Sequence, residues 1–208
     1  MGWSPFDEEL LRIITDDAID IAYLSVDYQT IIDKYYRPGT KVRDIILSHS
    51  SSVGEFALEI SHSNSLGLDD DIVKTGAMLH DIGIILTDAP GIDCRGSAPY
   101  LCHGLLGARL LLDEGAPLWV ARIAARHTGA GLTAREIKAE GLPLPCIDLL
   151  PETLLEKLIC YADKFYSKSG NMQRKSIERV RASMERYGSE SLARFNHLDR
   201  IFRNCPAQ

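Results

Sequence analysis

Apolar residues recur at three- and four-residue steps along most of the chain, the mark of helices with one buried face. From Val42 to about Ser63 that face is Ile46, His49, Val53, Phe56, Ala57 and Ile60. Asp69-Asp70-Asp71 then opens a helix, acids being favoured at the cap and at the positive end of the helix dipole. Its inward face is Val73, Gly76, Ala77 and His80, and Gly83 predicts its stop. His103, Leu106, Gly107 and Leu110 share one side of a helix from about Leu101 to Glu114. After the Gly115-Ala116-Pro117 break, Val120, Ile123, Ala124 and His127 repeat the pattern. Thr133 and Glu136 have capping-box spacing. Pro151-Glu152 opens a helix of about 17 residues that contains Asp163, proline being favourable at a first helical position.

The ends of the chain are more polar. The mixed acidic and apolar stretch from Phe6 to Leu24 reads as one or two amphipathic helices. Two more are predicted from about Met172 to Tyr187 and from about Glu190 to Arg203. Residues 87–100, rich in proline and glycine, read as a loop of about 14 residues, a length at which loops are usually functional. No strand, repeat or low-complexity segment stands out. The predicted fold is all-α, one domain over residues 1–208, with helical extensions at both ends.

Composition narrows the functional classes. The 208 residues hold 23 Lys and Arg against 29 Asp and Glu, a net charge of −6. A mildly acidic chain is not composed to hold a nucleic-acid backbone, so long nucleic acid is not an expected partner. No apolar run reaches the roughly 18 residues of a membrane span, and the acidic N-terminus lacks the pattern of a secretory signal. Cys94, Cys102, Cys146, Cys160 and Cys205 are scattered without a C-x-x-C pair. They predict reduced thiols in a cytoplasm rather than a disulfide framework.

Four of the six histidines, His49, His80, His103 and His127, sit on or beside apolar helix faces. Any one of them alone reads more readily as a hydrogen-bonded core residue than as a ligand. Four neutral imidazoles facing one interior have few partners other than carboxylate, backbone, water or metal. Asp81 and Asp163 accompany them, and a buried carboxylate needs a compensating cation. Imidazole with carboxylate suits a divalent transition metal such as Fe, Mn, Co, Ni or Zn. Neighbouring helix residues point about 100° apart, so spacing alone does not turn His80 and Asp81 onto one point.

The ordered set His49, His80-Asp81, His103, His127 and Asp163 resembles the HD-domain superfamily of metal-dependent phosphohydrolases. Leu79-His80-Asp81-Ile82-Gly83 is similar to the HDIG signature of one branch, whose members are uncharacterised hydrolases. Arg126-His127-Thr128-Gly129, Leu150-Pro151-Glu152-Thr153 and Tyr161-Ala162-Asp163-Lys164 resemble further segments of that branch. The likeness covers about residues 42–168 and implies an HD-type helical bundle. It implies a first metal on His49, His80, Asp81 and Asp163, a second on His103 and His127, and Asp81 as bridge: two transition metals per chain.

The expectation that follows is a phosphohydrolase acting on a small phosphate ester or nucleotide. A metal-bridging hydroxide would attack phosphorus, a role for which paired metals are suited. Asp81, Lys164 and Arg126 are the catalytic candidates, the two cations flanking predicted ligands and being suited to clamp phosphate. Arg95 and Tyr100 are lid candidates at the entry to the His103 helix. Two alternatives remain: a mixed-valence di-iron oxygenase of the HD type, which uses the same ligand set, and a non-catalytic ligand-binding HD domain, whose mark is an eroded ligand set. The closing helices could cover the core or form a homodimer contact.

Overall fold

The computed structural model describes residues 6–16, 23–168 and 173–203. Among them are ten α-helices: α1 Glu8–Thr15, α2 Tyr28–Tyr35, α3 Lys41–Ser63, α4 Asp70–Leu79, α5 His103–Asp113, α6 Leu118–Arg126, α7 Ala134–Ala139, α8 Leu154–Asp163, α9 Ile177–Glu185 and α10 Ser189–Phe202. The all-α expectation is borne out. Among the described residues no helix is long and apolar enough to cross a membrane.

The long α3 packs along α4 and α8, and α5 lies against α6. Its predicted stripe, from Ile46 and His49 to Ile60, is the buried one. Asp69 caps α4 by accepting from the Ile72 amide at 3.1 Å. Thr133 and Glu136 form the capping box at the start of α7. α8 begins later than Pro151-Glu152 suggested, because Thr153 takes the cap position and accepts from the Glu156 amide at 3.1 Å. It holds 10 residues and ends at Asp163. α2 was not foreseen: Ile31 and Ile32 are adjacent, so its buried pair sets up no three-or-four-residue stripe. Residues 17–22 of the N-terminal stretch, Met172 and Cys205 lie outside the described residues.

The expected loop at residues 87–100 is built rather than irregular. β1 (Asp88–Ala89) pairs antiparallel with β2 (Cys94–Arg95), Asp88 opposite Arg95. Strands of two residues carry no readable alternation, which is why none was predicted. Gly83 does not end α4. It lies in a 3₁₀ turn, Ile82–Leu86, where a Cβ would stand 2.2 Å from the His103 carbonyl oxygen and 2.3 Å from the Gly107 nitrogen. Only glycine lets this turn press onto α5. The Tyr36 hydroxyl holds the same turn, donating to the Ile82 carbonyl at 3.0 Å and accepting from the Ile85 amide at 3.1 Å.

The closing helices cover the core. Tyr161 of α8 stacks on Phe195 of α10 at 5.6 Å and donates its hydroxyl to Asp199 at 2.9 Å. Arg181 and Arg203 neutralise that buried carboxylate. The hairpin of α9 and α10 is thereby pinned to the helix that delivers Asp163.

Candidate metal centre

Six side chains from five helix ends and faces meet at one point in the interior. His49 comes from the middle of α3, His80 caps the end of α4, and His103 starts α5. His127 caps the end of α6, and Asp163 ends α8. Asp81 has left the helix, with φ −103° and ψ 9°. That departure resolves the angular problem, since Asp81 no longer follows the 100° helical step from His80.

The two oxygens of Asp81 divide the cluster. Oδ2 lies 3.2 Å from His49 Nε2 and 3.1 Å from His80 Nε2. Asp163 Oδ1 completes that group, 3.0 Å from His49 Nε2 and 3.5 Å from His80 Nε2. Oδ1 faces the other way, 3.4 Å from His103 Nε2 and 3.3 Å from His127 Nε2. The ligand atoms of His49, His80, Asp81 and Asp163 lie within 4.8 Å of one another, as do those of Asp81, His103 and His127. All six residues are buried.

Three of the imidazoles are oriented by their own helical turn. Each Nδ1 sits on the carbonyl three residues back: His80 on Ala77 at 2.6 Å, His103 on Tyr100 at 2.7 Å, His127 on Ala124 at 2.8 Å. Donating there places the proton on Nδ1 and turns the Nε2 lone pair inward, the arrangement that orients ligating histidines. His49 Nε2, His80 Nε2 and Asp81 Oδ1 are buried without a hydrogen-bond partner, although opposite groups lie close. Proximity without hydrogen-bond directions is what converging ligand atoms give, and buried polar atoms otherwise find partners. The imidazole and carboxylate donors fit a transition metal.

Electrostatics point the same way. Burial works against the charge on Asp81, but His80, Lys168 and the other imidazoles hold its carboxyl well below the usual range. Burial also opposes charge on His80, and the Asp81 and Asp163 carboxylates outweigh it, raising His80 to about 9. His103 is pushed down to about 3 by burial and by His127 beside it. The carboxylates of the first group thus draw positive charge onto His80, whereas His103 in the second is kept neutral.

A cavity of about 710 Å³ opens beside the cluster, bordered by Tyr100, His103, His127, Asp163, Lys164 and Lys168. Lys164 stands at its edge, 2.6 Å from Asp163 Oδ2 and donating to the His127 carbonyl at 3.0 Å. Tyr100 stands over His103 with ring centres 4.9 Å apart. Arg126 does not join the cluster. It is buried on the opposite side, 2.5 Å from Glu152 and donating to the Leu150 and Ile14 carbonyls, so it ties α6 to the N-terminal helix. Its helical step from His127 carries it away from the site. Arg95 is exposed on β2.

Lys168 was missed by sequence reasoning. Its ammonium lies 2.6 Å from Asp81 Oδ2, on a side chain only 14% exposed. It follows Asp163 by five residues in a segment without helical period, so no pattern projects it inward.

The family model of the HD domain matches residues 46–167. A tRNA (cytidine(56)-2'-O)-methyltransferase of Picrophilus torridus is 32% identical over 149 residues, 72% of this chain and 38% of that protein. A protein of the same name from Thermoplasma volcanium is 31% identical over 167 residues, 80% of this chain and 44% of its own length. An uncharacterised protein of Methanocaldococcus jannaschii is 37% identical over 121 residues, 57% of this chain and 64% of that protein. The chain thus spans less than half the length of the two named relatives. No solved structure matches it.

These relatives overturn two expectations. The functions named for two of these relatives are methyl transfer to tRNA, not phosphate-ester hydrolysis, so the phosphohydrolase expectation does not stand. The exclusion of long nucleic acid also falls, because those proteins are named for acting on tRNA. Net charge misled there: it averages over a chain whose charges are unevenly placed.

Proposed function

Because this chain belongs to the HD-domain family, we propose that it is a metal-binding domain serving tRNA modification, with tRNA as its macromolecular partner. One observation carries the reading. A match of 167 residues to a tRNA methyltransferase, within a chain of 208, cannot avoid the stretch from His49 to Asp163. The metal cluster and the relationship to a tRNA-modifying protein therefore belong to the same part of the chain.

Two divalent transition metals per chain, among Fe, Mn, Co, Ni or Zn, would share Asp81. His49, His80 and Asp163 would hold one, His103 and His127 the other. Bound metals would supply Lewis-acid attraction for RNA oxygen atoms, phosphate or ribose hydroxyl, at the floor of the cavity. The chain's own groups do the rest. The carbonyls of Ala77, Tyr100 and Ala124 hold three imidazoles in their ligating orientation. Lys164 presents a cation at the cavity edge, where an RNA phosphate would meet it. His49, His80 and Asp81 are buried behind the cavity wall, which His103, His127 and Asp163 line. Residues 1–208 act as one domain in this reading.

The test is gel retardation of an unmodified tRNA transcript by the metal-loaded chain. The expected result is a complex at micromolar protein, weakened at least tenfold by Asp81→Ala, which also lowers bound metal. A metal-loaded chain that leaves tRNA free at high micromolar protein overturns the proposal.

A further inference from the structure

Charge is segregated along this chain. Residues 1–163 hold 13 Lys and Arg against 25 Asp and Glu, whereas residues 164–208 hold 10 against 4, so a net of −12 is followed by one of +6. The basic part builds one wall of the cavity beside the metal cluster: Lys175, Ser183, Met184 and Tyr187 all line it.

That wall has a directional pattern. Arg179, Ser183 and Tyr187 follow one another at four-residue steps, and Arg186 lies three residues beyond Ser183, so all share a face of α9. The turn continues past Glu185 because the Tyr187 amide donates to the Met184 carbonyl at 3.0 Å. Glu178 and Glu185 fall on the far side of the helix from Ser183. Arg179 and Arg186 thus lie on the helix face that borders the cavity through Ser183 and Tyr187, and the α9 acids turn away from it, while Glu136 and Glu140 line the cavity elsewhere.

The cations on this face have no carboxylate partner among the described residues. Arg179 and Arg186 are exposed, and no carboxylate of the described residues lies within ion-pair reach of either. Lys175 lines the cavity and donates to the carbonyls of Lys164 and Tyr166, at 3.2 and 3.1 Å. Tyr187 is 64% exposed, the most exposed large apolar side chain among the described residues. By contrast Arg174, Arg181, Arg194 and Arg203 are all paired with carboxylates.

Resting on the tRNA reading above, we propose that this face of α9 is a docking rim for an unpaired stretch of RNA. One base stacks on Tyr187, and the neighbouring phosphates lie on Arg179, Arg186 and Lys175. Stacking on an exposed aromatic ring between cations is how single-stranded RNA is held without sequence-specific hydrogen bonds. The rim opens onto the metal cavity, so a nucleotide held there is delivered to the cluster.

The experiment measures binding of three RNAs to the metal-loaded full chain across a salt series: an unmodified tRNA transcript, a single-stranded oligonucleotide and a fully paired duplex. Tyr187→Ala should weaken tRNA and single strand about tenfold with an unchanged salt slope, and Tyr187→Phe should restore binding. Arg179→Glu with Arg186→Glu should weaken binding and flatten the slope of log K against log salt by about 1.4, from about 0.7 per lost phosphate contact on single strands. Bound metal should stay at the native level in each variant. Native affinity for tRNA in both variants overturns the docking rim while leaving the tRNA reading intact, and so does duplex binding as tight as single strand. If the native chain binds none of the three RNAs but is captured by vesicles containing phosphatidylserine, the tRNA reading itself fails and the basic face is a membrane contact.

Discussion

His103 and His127 bring their Nε2 atoms within 3.0 Å of each other while each Nδ1 rests on a main-chain carbonyl. With both Nδ1 atoms donating, two lone pairs confront one another, an arrangement that a shared cation relieves. His103→Gln with His127→Gln should therefore remove one metal ion per chain and leave the ion on His49, His80, Asp81 and Asp163. Elemental analysis after reconstitution measures this, and native stoichiometry in the double variant would sink the two-group division of the site.

Lys168 and a divalent cation compete for the same oxygen. The ammonium sits on Asp81 Oδ2, and the Asp81 and Asp163 carboxylates outweigh burial to keep it charged. Lys168→Met should strengthen metal binding about tenfold, by removing a tethered positive charge beside the ligands. A chelator competition titration reads the change. Weaker binding in the variant would mean that Lys168 supports the ligands rather than opposing the ion.

Gly83 marks the closest approach of the turn after Asp81 to α5. Gly83→Ala forces backbone apart, since the new carbon would overlap the His103 carbonyl and the Gly107 nitrogen. The cost should reach about 3 kcal/mol, the upper end for overpacking, because backbone yields less than side chains. Urea unfolding measures it, with bound metal as a second readout because His103 itself must move. A variant as stable as the native chain would show that α5 can shift freely.

Acid sensitivity should have an identifiable part at Glu136. Burial raises its pKa, but hydrogen bonds from Arg194 and Thr133 lower it more, so folded Glu136 titrates below its ordinary value of 4.5. A depressed carboxyl stabilises the fold above its unfolded pKa, and that stabilisation is lost as pH falls through the folded one. Glu136→Gln should lower the urea midpoint at pH 7, and the difference from the native chain should shrink on acidification below the ordinary value. A difference constant with pH would mean that Glu136 acts through packing alone.

Much of the centre was legible because helices project their ligands at regular steps. His49 belonged to the stripe of Ile46, Val53 and Phe56, and His127 to that of Val120 and Ile123, so their inward direction followed from period alone. His80 belonged to the stripe of Val73, Gly76 and Ala77, and the ligand roles of Asp81 and Asp163 came with the resemblance, yet the detail that lets His80 and Asp81 share a point is a backbone departure after Leu79 that no spacing encodes. Lys168 and Tyr36 were invisible for the complementary reason: each lies just past a helix end, where side-chain direction depends on tertiary packing. Arg126 misled because adjacency in sequence to His127 was read as adjacency in space. The exclusion of nucleic acid failed through averaging, since a net of −6 conceals a basic C-terminal face.

Three of the histidines take their orientation from main-chain carbonyls within their own turn, not from neighbouring side chains. A carbonyl is present whatever residue occupies its position. The residues around the cluster are thus released from any duty to hold the rings, and the cavity walls can drift in sequence without retuning the centre. Inheritance of the ligands and inheritance of the binding surface are separable in such a design, which gives one buried centre room to serve different recognition tasks.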